Sequence, residues 1–201
     1  MEQERDKLGS KWRGVLEELA FLEGSKEPLK KLICSEGLLT EALEQTYEGE
    51  LTLELLGSMH KSLNDVKNFL FVKGFSGFEK NLPNNSNNEV LIREVFLLVG
   101  GKRRVFARTV IFIKDTDADF LNALEDSGEP LGRLLQTLGK KKIRESLEFG
   151  HVEDPLVAKG LGLSSGEKLF SRRYKISDTQ EDSDGANLRL QAFVLEVFCE
   201  K

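Results

Sequence analysis

The chain has 201 residues, of which 39% are hydrophobic and 31% are charged, and its formal net charge is −5. This composition is typical of a globular protein. Because no apolar run approaches the ~18 residues of a membrane helix, we expect a cytoplasmic protein without membrane insertion. The negative charge argues against general nucleic-acid binding. Cys34 and Cys199 lack metal-ligand spacing, and both are predicted to be reduced core residues.

A single domain is predicted for residues 1–201, with a helical N-terminal part over 1–47 and a sheet-containing core over 48–201. In the first part, Trp12 and Val15 belong to a set of apolar residues that recur with helical spacing. At the start of the core, apolar and polar residues alternate instead. That alternation is typical of a strand with one buried face.

Two pairs of strands are predicted to form hairpins. Residues 90–99 and 105–113 flank Gly100–Gly101, a dipeptide typical of a tight hairpin turn. Residues 170–176 and 188–198 make the second pair, whose tip is acidic. Because hairpins join antiparallel strands, the predicted fold class is α+β, with a mostly antiparallel sheet covered by helices.

The other segments between these elements are predicted from turn and capping residues. They are a weaker strand over residues 66–72, a polar loop over 81–88, a helix-capping loop over 115–119, and two helices over 131–138 and 143–149. A basic run that includes Arg144 is predicted to be a solvated helix end.

Three ionisable side chains share strand faces with apolar residues: Arg93, Arg108 and Glu196. A charge on a buried face is costly unless it is paired or binds something. The pattern predicts a dry pocket for a small anion, in which two guanidinium groups would suit a dicarboxylate. A structural ion pair is the alternative that remains open. Arg172 and Arg173 flank the inward face of a later strand and are assigned to no site.

A helix start at Pro130-Leu131-Gly132 is predicted to offer backbone N–H groups to the same anion. Glu196 is predicted to hydrogen-bond a ligand hydroxyl or to move a proton. His60 and His151 are isolated in the sequence, so we expect neither a metal site nor another cofactor.

Four segments in chain order resemble those of a known family, namely residues 92–95 (IREV), 107–110 (ARTV), 130–133 (PLGR) and 195–198 (LEVF). They resemble chorismate pyruvate-lyase, which makes 4-hydroxybenzoate, a precursor in quinone biosynthesis, and pyruvate from chorismate. Leu39-Thr40 resembles a Met-Thr pair in the pocket of that family. The chain departs from the family in having leucine in place of this methionine and Ala107 in place of a glycine.

The resemblance implies a fold that buries a small aromatic acid and uses no cofactor. It implies that Arg93 and Glu196 are catalytic, with Arg93 holding the ring carboxylate and Glu196 meeting the ring hydroxyl. It also implies that Arg108 lies near the enolpyruvyl carboxylate or the exit path of the ligand, and that the Leu131 backbone N–H assists. The full set of implied binding residues is Leu39, Thr40, Arg93, Arg108, Leu131, Gly132 and Glu196.

The main expectation is therefore a lyase that converts chorismate to 4-hydroxybenzoate and pyruvate in a buried anion-binding pocket. Its expected partners are this substrate and its aromatic acid product. One alternative is a non-enzymatic sensor of small aromatic acids, similar to the effector-binding domains of a class of bacterial transcription regulators. Another is a lyase for a different enolpyruvyl or cyclohexadiene acid. Residues 1–47 lack a recognisable helix-turn-helix, which argues against a regulator.

Overall fold

A computed structural model describes residues 11–15, 25–35, 38–66, 89–126, 128–137, 143–181 and 187–200. In chain order its elements are β1 (Lys11–Val15), α1 (Glu27–Ile33), α2 (Leu39–Tyr47), β2 (Leu51–Ser62), α3 (Leu63–Val66), β3 (Glu89–Val99), β4 (Lys102–Phe112), a 3-10 turn (Ile113–Asp115), α4 (Ala118–Asp126), α5 (Leu131–Thr137), β5 (Ile143–Glu153), α6 (Pro155–Gly160), β6 (Leu169–Glu181) and β7 (Asn187–Phe198). The predicted polar loop over 81–88 and most of the weaker strand over 66–72 lie outside the described residues. Within the described ranges, no helix is long and apolar enough to cross a membrane.

The seven strands form one sheet in the order β1-β5-β6-β7-β4-β3-β2, and all neighbouring pairs are antiparallel. The β3–β4 hairpin turns at Gly100 and Gly101, whose φ angles of 59° and 73° lie in the left-handed region that glycine adopts without a steric penalty. Strands β6 and β7 form the second hairpin. The predicted α+β class with a mostly antiparallel sheet is therefore confirmed.

Helices and apolar side chains cover both faces of the sheet. On the face that we call the cavity face, Leu91, Val95 and Leu97 of β3 lie in clusters that include residues of α1, α2, α4 and α5. On the opposite face, Ile92 and Phe96 lie in a cluster with residues of α3 and α6. Because each face is buried, a charged side chain is enclosed whichever face it takes.

Two segments that the sequence predicts to be helical are strands. β1 lies inside the predicted N-terminal helical part, and β5 replaces the predicted helix over 143–149. β5 pairs with β6 on one side and with β1 on the other, so hydrogen bonding between distant segments outweighs local helical spacing. Helices α1 and α2 do lie in the predicted N-terminal helical part.

Two smaller predictions have opposite outcomes. The helix-capping loop is confirmed, because the Asp117 carboxylate accepts a hydrogen bond of 2.9 Å from the backbone N–H of Phe120 in α4. The prediction of two core cysteines is half wrong. Both thiols are free, but Cys34 is exposed at the end of α1 and only Cys199 is buried.

Candidate ligand-binding site

A cavity lies on the cavity face of the sheet, against α2 and α5. Its wall is mainly apolar, and its ionisable and hydroxyl-bearing side chains include Thr40, Arg93, Arg144, Tyr174 and Glu196. Inside the cavity, the centres of water molecules can lie within a volume of about 60 Å³. This space would hold roughly four to six waters, or a ligand of about ten non-hydrogen atoms.

Arg93 is the cation that β3 contributes to the cavity wall. Its side chain is 3% exposed, and its Nη2 donates a hydrogen bond of 3.0 Å to the carbonyl oxygen of Glu129. This bond fixes the carbonyl group of Glu129, which directly precedes Pro130 and α5. Burial lowers the pKa of Arg93, but a guanidinium remains protonated at neutral pH. A buried cation in an apolar wall is suited to a carboxylate ligand.

Glu196 on β7 lies directly opposite Arg172 on β6 and is 4% exposed. Its Oε2 accepts a hydrogen bond of 2.5 Å from Arg172 Nε, and its Oε1 accepts one of 2.7 Å from the Tyr174 hydroxyl. Glu196 is therefore a member of a buried ion pair that also forms part of the cavity wall. The sequence leaves this pairing partner unassigned.

The charges in this cluster reinforce one another. Burial, followed by the negative charge of Glu196, raises the pKa of Tyr174, so its hydroxyl remains a hydrogen-bond donor. For Arg172, burial is the largest single effect and lowers the pKa, but the charge and hydrogen bond of Glu196, together with Tyr174 and Cys34, outweigh it, so the net pKa is raised. Both groups therefore donate hydrogen bonds to the Glu196 carboxylate and fix its position in the cavity wall.

Arg144 is a second guanidinium that lines the cavity. It lies on β5, donates a hydrogen bond of 2.9 Å to the Ser35 carbonyl, and has its guanidinium carbon 4.9 Å from the centre of the Tyr174 ring. The sequence prediction of a solvated helix end is therefore wrong for this residue. Leu147 and Phe149 alternate with polar residues in the same segment, which is a strand signal that would have identified β5.

Arg108 does not line the cavity, so it does not lie beside Arg93 as the sequence predicts. It is 7% exposed on the opposite face of the sheet, where its Nε donates a hydrogen bond of 2.5 Å to Glu94. A two-residue turn at Gly100–Gly101 would pair Arg93 with Arg108. A β-bulge instead leaves Arg104 as an extra residue, which pairs Arg93 with Thr109 and sends Arg108 to the other face.

The other predicted binding residues, Leu39, Thr40, Leu131 and Gly132, line the same cavity as Arg93 and Glu196. The Oγ1 of Thr40 is buried and has no hydrogen-bond partner in the described part of the chain, so it can bond to a ligand. The contact of the Leu131 backbone N–H with an anion remains a prediction. Within the described ranges, no group of three or more His, Cys, Asp or Glu residues is placed to hold a metal ion.

Solved structures with a similar fold include a ligand-binding domain and an effector domain. The ligand-binding domain of a proposed GntR-family transcriptional regulator from Bordetella bronchiseptica is 14% identical, with a TM-score of 0.50, and the match covers 74% of this chain and 85% of that one. PhnF from Mycobacterium smegmatis is 15% identical, with a TM-score of 0.52 and coverage of 82% and 65%. Its effector domain alone is 16% identical, with a TM-score of 0.51 and coverage of 82% and 89%.

These similarities define the class of fold. The chain has the α+β, chorismate lyase-like fold of the effector domains of GntR-type regulators. No model of a protein family matches the sequence, and no curated protein matches it. At these levels of identity the shared feature is the fold, so the function must be argued from the site.

Proposed function

We propose that this chain is a binding domain for a small ring carboxylate, and that it acts as a sensor of such an acid rather than as an enzyme. The observation that carries the proposal is the position of Arg93, a buried guanidinium in the wall of a mainly apolar cavity. An aromatic or cyclohexadiene acid has the matching chemistry, with an apolar ring for the wall and a carboxylate for the guanidinium. The regulator domains with the same fold add support.

The state of Glu196 favours binding over turnover. Both of its oxygens already accept hydrogen bonds, one from Arg172 and one from Tyr174. To act as a proton-transfer group, Glu196 would have to weaken a buried ion pair, which is costly. As a binding group it needs no such change, since each carboxylate oxygen has a second lone pair that can accept from a ligand hydroxyl. The cavity thus suits a ring that carries a carboxylate and a hydroxyl.

Titration with 4-hydroxybenzoate tests this proposal. We expect saturable heat by calorimetry and a melting temperature that rises with ligand concentration. The matched variants are Arg93→Met, in the cavity wall, and Arg108→Met, at the same hairpin but on the opposite face. Only the first should weaken binding. Absence of saturable binding by 4-hydroxybenzoate, benzoate and chorismate alike would refute the proposal.

A chorismate lyase is the second candidate. It is favoured by the fact that Arg93, Glu196, Leu131 and the Leu39-Thr40 pair, which the resemblance implies for that family, all line one cavity. Incubation of the purified protein with chorismate, followed by quantification of 4-hydroxybenzoate and pyruvate, separates the two candidates. Equimolar formation of both products above the spontaneous rate would support the lyase. Binding without turnover would support the sensor.

A further inference from the structure

Arg172 contacts both a residue of the cavity wall and the end of α1, a part of the chain that does not line the cavity. Among the residues that the structure describes, it is the largest fully buried side chain, and that side chain is 1% exposed. Its Nε bonds to Glu196, while its Nη1 lies 2.6 Å from the carbonyl oxygen of Ile33 and 3.1 Å from those of Leu32 and Ser35. One guanidinium thus holds a carboxylate of the cavity wall and the end of α1.

The contacts at α1 are those that a helix end requires. The last carbonyl groups of a helix have no partner within the helix, and a cation there also interacts favourably with the helix dipole. α1 ends at Ile33, and Leu38, Leu39 and Thr40 at the start of α2 line the cavity. The contacts of Arg172 are therefore only a few residues from the part of the wall that α2 contributes.

We propose that Arg172 is a positioning residue that couples the occupation of the cavity to the α1–α2 segment, residues 32–35 and 38–40. This inference rests on the proposed function, in which Glu196 accepts a hydrogen bond from the ligand hydroxyl. Arg172 fixes the Glu196 carboxylate for that contact and fixes the end of α1 with the same planar group. By thermodynamic reciprocity, a ligand that stabilises this arrangement also stabilises the α1–α2 segment.

The test compares Arg172→Lys with Arg173→Lys. A lysine keeps the charge but lacks the planar fork, so it cannot hold both sets of partners in the same geometry. Arg173 is the matched control, because it is the next residue on β6 and is also buried and paired, with Glu148, but on the opposite face. Two quantities are measured: amide hydrogen exchange over residues 29–43, and the ratio of the benzoate Kd to the 4-hydroxybenzoate Kd.

In the wild type we expect 4-hydroxybenzoate to bind roughly tenfold or more tightly than benzoate, because its hydroxyl donates to a charged group. In Arg172→Lys this ratio should fall towards one, and exchange over residues 29–43 should rise without ligand and lose its protection by ligand. Arg173→Lys should leave both quantities at wild-type values. A role in stability alone would weaken both acids equally and preserve the ratio.

Three results would overturn the inference. If Arg172→Lys keeps the wild-type ratio while both acids still bind, Arg172 does not position Glu196, although the proposed function stands. If exchange over residues 29–43 is unchanged in this variant, Arg172 does not hold the end of α1. If the wild type binds neither acid, the proposed function fails and the inference fails with it. Should Arg172→Lys not fold, Glu196→Gln takes its place, and unchanged exchange over residues 29–43 in that variant would overturn the coupling.

Discussion

Replacing Arg93 and Arg108 one at a time by methionine tests whether the β3–β4 register assigns different roles to them. Both residues are arginines of one hairpin, and both are less than a tenth exposed. Arg93 lines the cavity, whereas Arg108 bonds to Glu94 on the opposite face. Methionine retains the apolar length of the side chain, so the two variants differ mainly in which contacts of the guanidinium they lose.

The expected magnitudes follow from these contacts. Arg93→Met removes the proposed charged hydrogen bonding to a ligand carboxylate, worth about 3 kcal/mol or roughly a 150-fold weaker Kd. It also removes the bond to the Glu129 carbonyl, which should lower the free energy of unfolding by about 1 kcal/mol. Arg108→Met breaks a buried ion pair and should lower the free energy of unfolding by about 3–5 kcal/mol. It should leave the Kd within about twofold of wild type, since its side chain faces away from the cavity.

Urea unfolding gives the free energies, and calorimetric titration with 4-hydroxybenzoate gives the dissociation constants. The double variant Glu94→Met/Arg108→Met is the control, because removing both partners of a buried pair recovers stability that removing one partner loses. The reasoning is refuted if Arg108→Met weakens binding as strongly as Arg93→Met while unfolding like wild type. That result would mean that the bulge at Arg104 does not set the register.

Three further predictions concern other positions. Thr40→Val removes a buried hydroxyl without a partner among the described residues, so urea unfolding should show equal or slightly greater stability while calorimetry shows weaker ligand binding; a loss of stability would contradict this. Gly160→Ala would place a Cβ 2.3 Å from the Phe96 ring and should cost about 1–3 kcal/mol in urea unfolding, whereas an unchanged midpoint would contradict this. Because burial raises the pKa of Tyr174, the unfolded tyrosine ionises first and stability falls as pH rises above about 10; identical slopes in wild type and Tyr174→Phe would contradict this.

The strands that the sequence predicts well are those with a local signal. Alternating apolar residues and the Gly100–Gly101 turn identify the β3–β4 hairpin without knowledge of the rest of the chain. The register within that hairpin has no such signal. One extra residue in β4, Arg104, shifts the pairing, and every β4 residue after it then lies on the other face of the sheet relative to β3. A bulge depends on the packing of both faces of the sheet, and no local pattern marks it here. The sequence therefore places both arginines at one pocket, whereas the structure has Arg93 in the cavity wall and Arg108 on the opposite face of the sheet.

The missed residues of the site have a common cause. Arg144 and Arg172 lie on β5 and β6, and their contacts are with Ser35 and the end of α1, more than a hundred residues earlier in the chain. Such pairings depend on how the helices pack on the sheet, which sequence alone does not specify. An arginine on the inward face of a strand is a candidate partner for any glutamate that is predicted to share that face. In this sequence, that criterion pairs Arg172 with Glu196.

Because Arg108 lies on the opposite face of the sheet, the cavity offers different chemistry from the site that the sequence predicts. With Arg93 and Arg108 together, two cations would approach the ligand from adjacent strands of one hairpin, a geometry for two carboxylates close to one another. With Arg93 on β3 and Arg144 on β5, the cations instead come from strands separated by three others in the sheet, about 19 Å apart at the backbone. The ion pair of Arg172 and Glu196 joins two of the strands between them. A ring with its carboxylate at Arg93 and its hydroxyl at Glu196 matches this order along the cavity wall, and Arg144 beyond them favours further negative charge on the ligand at that end.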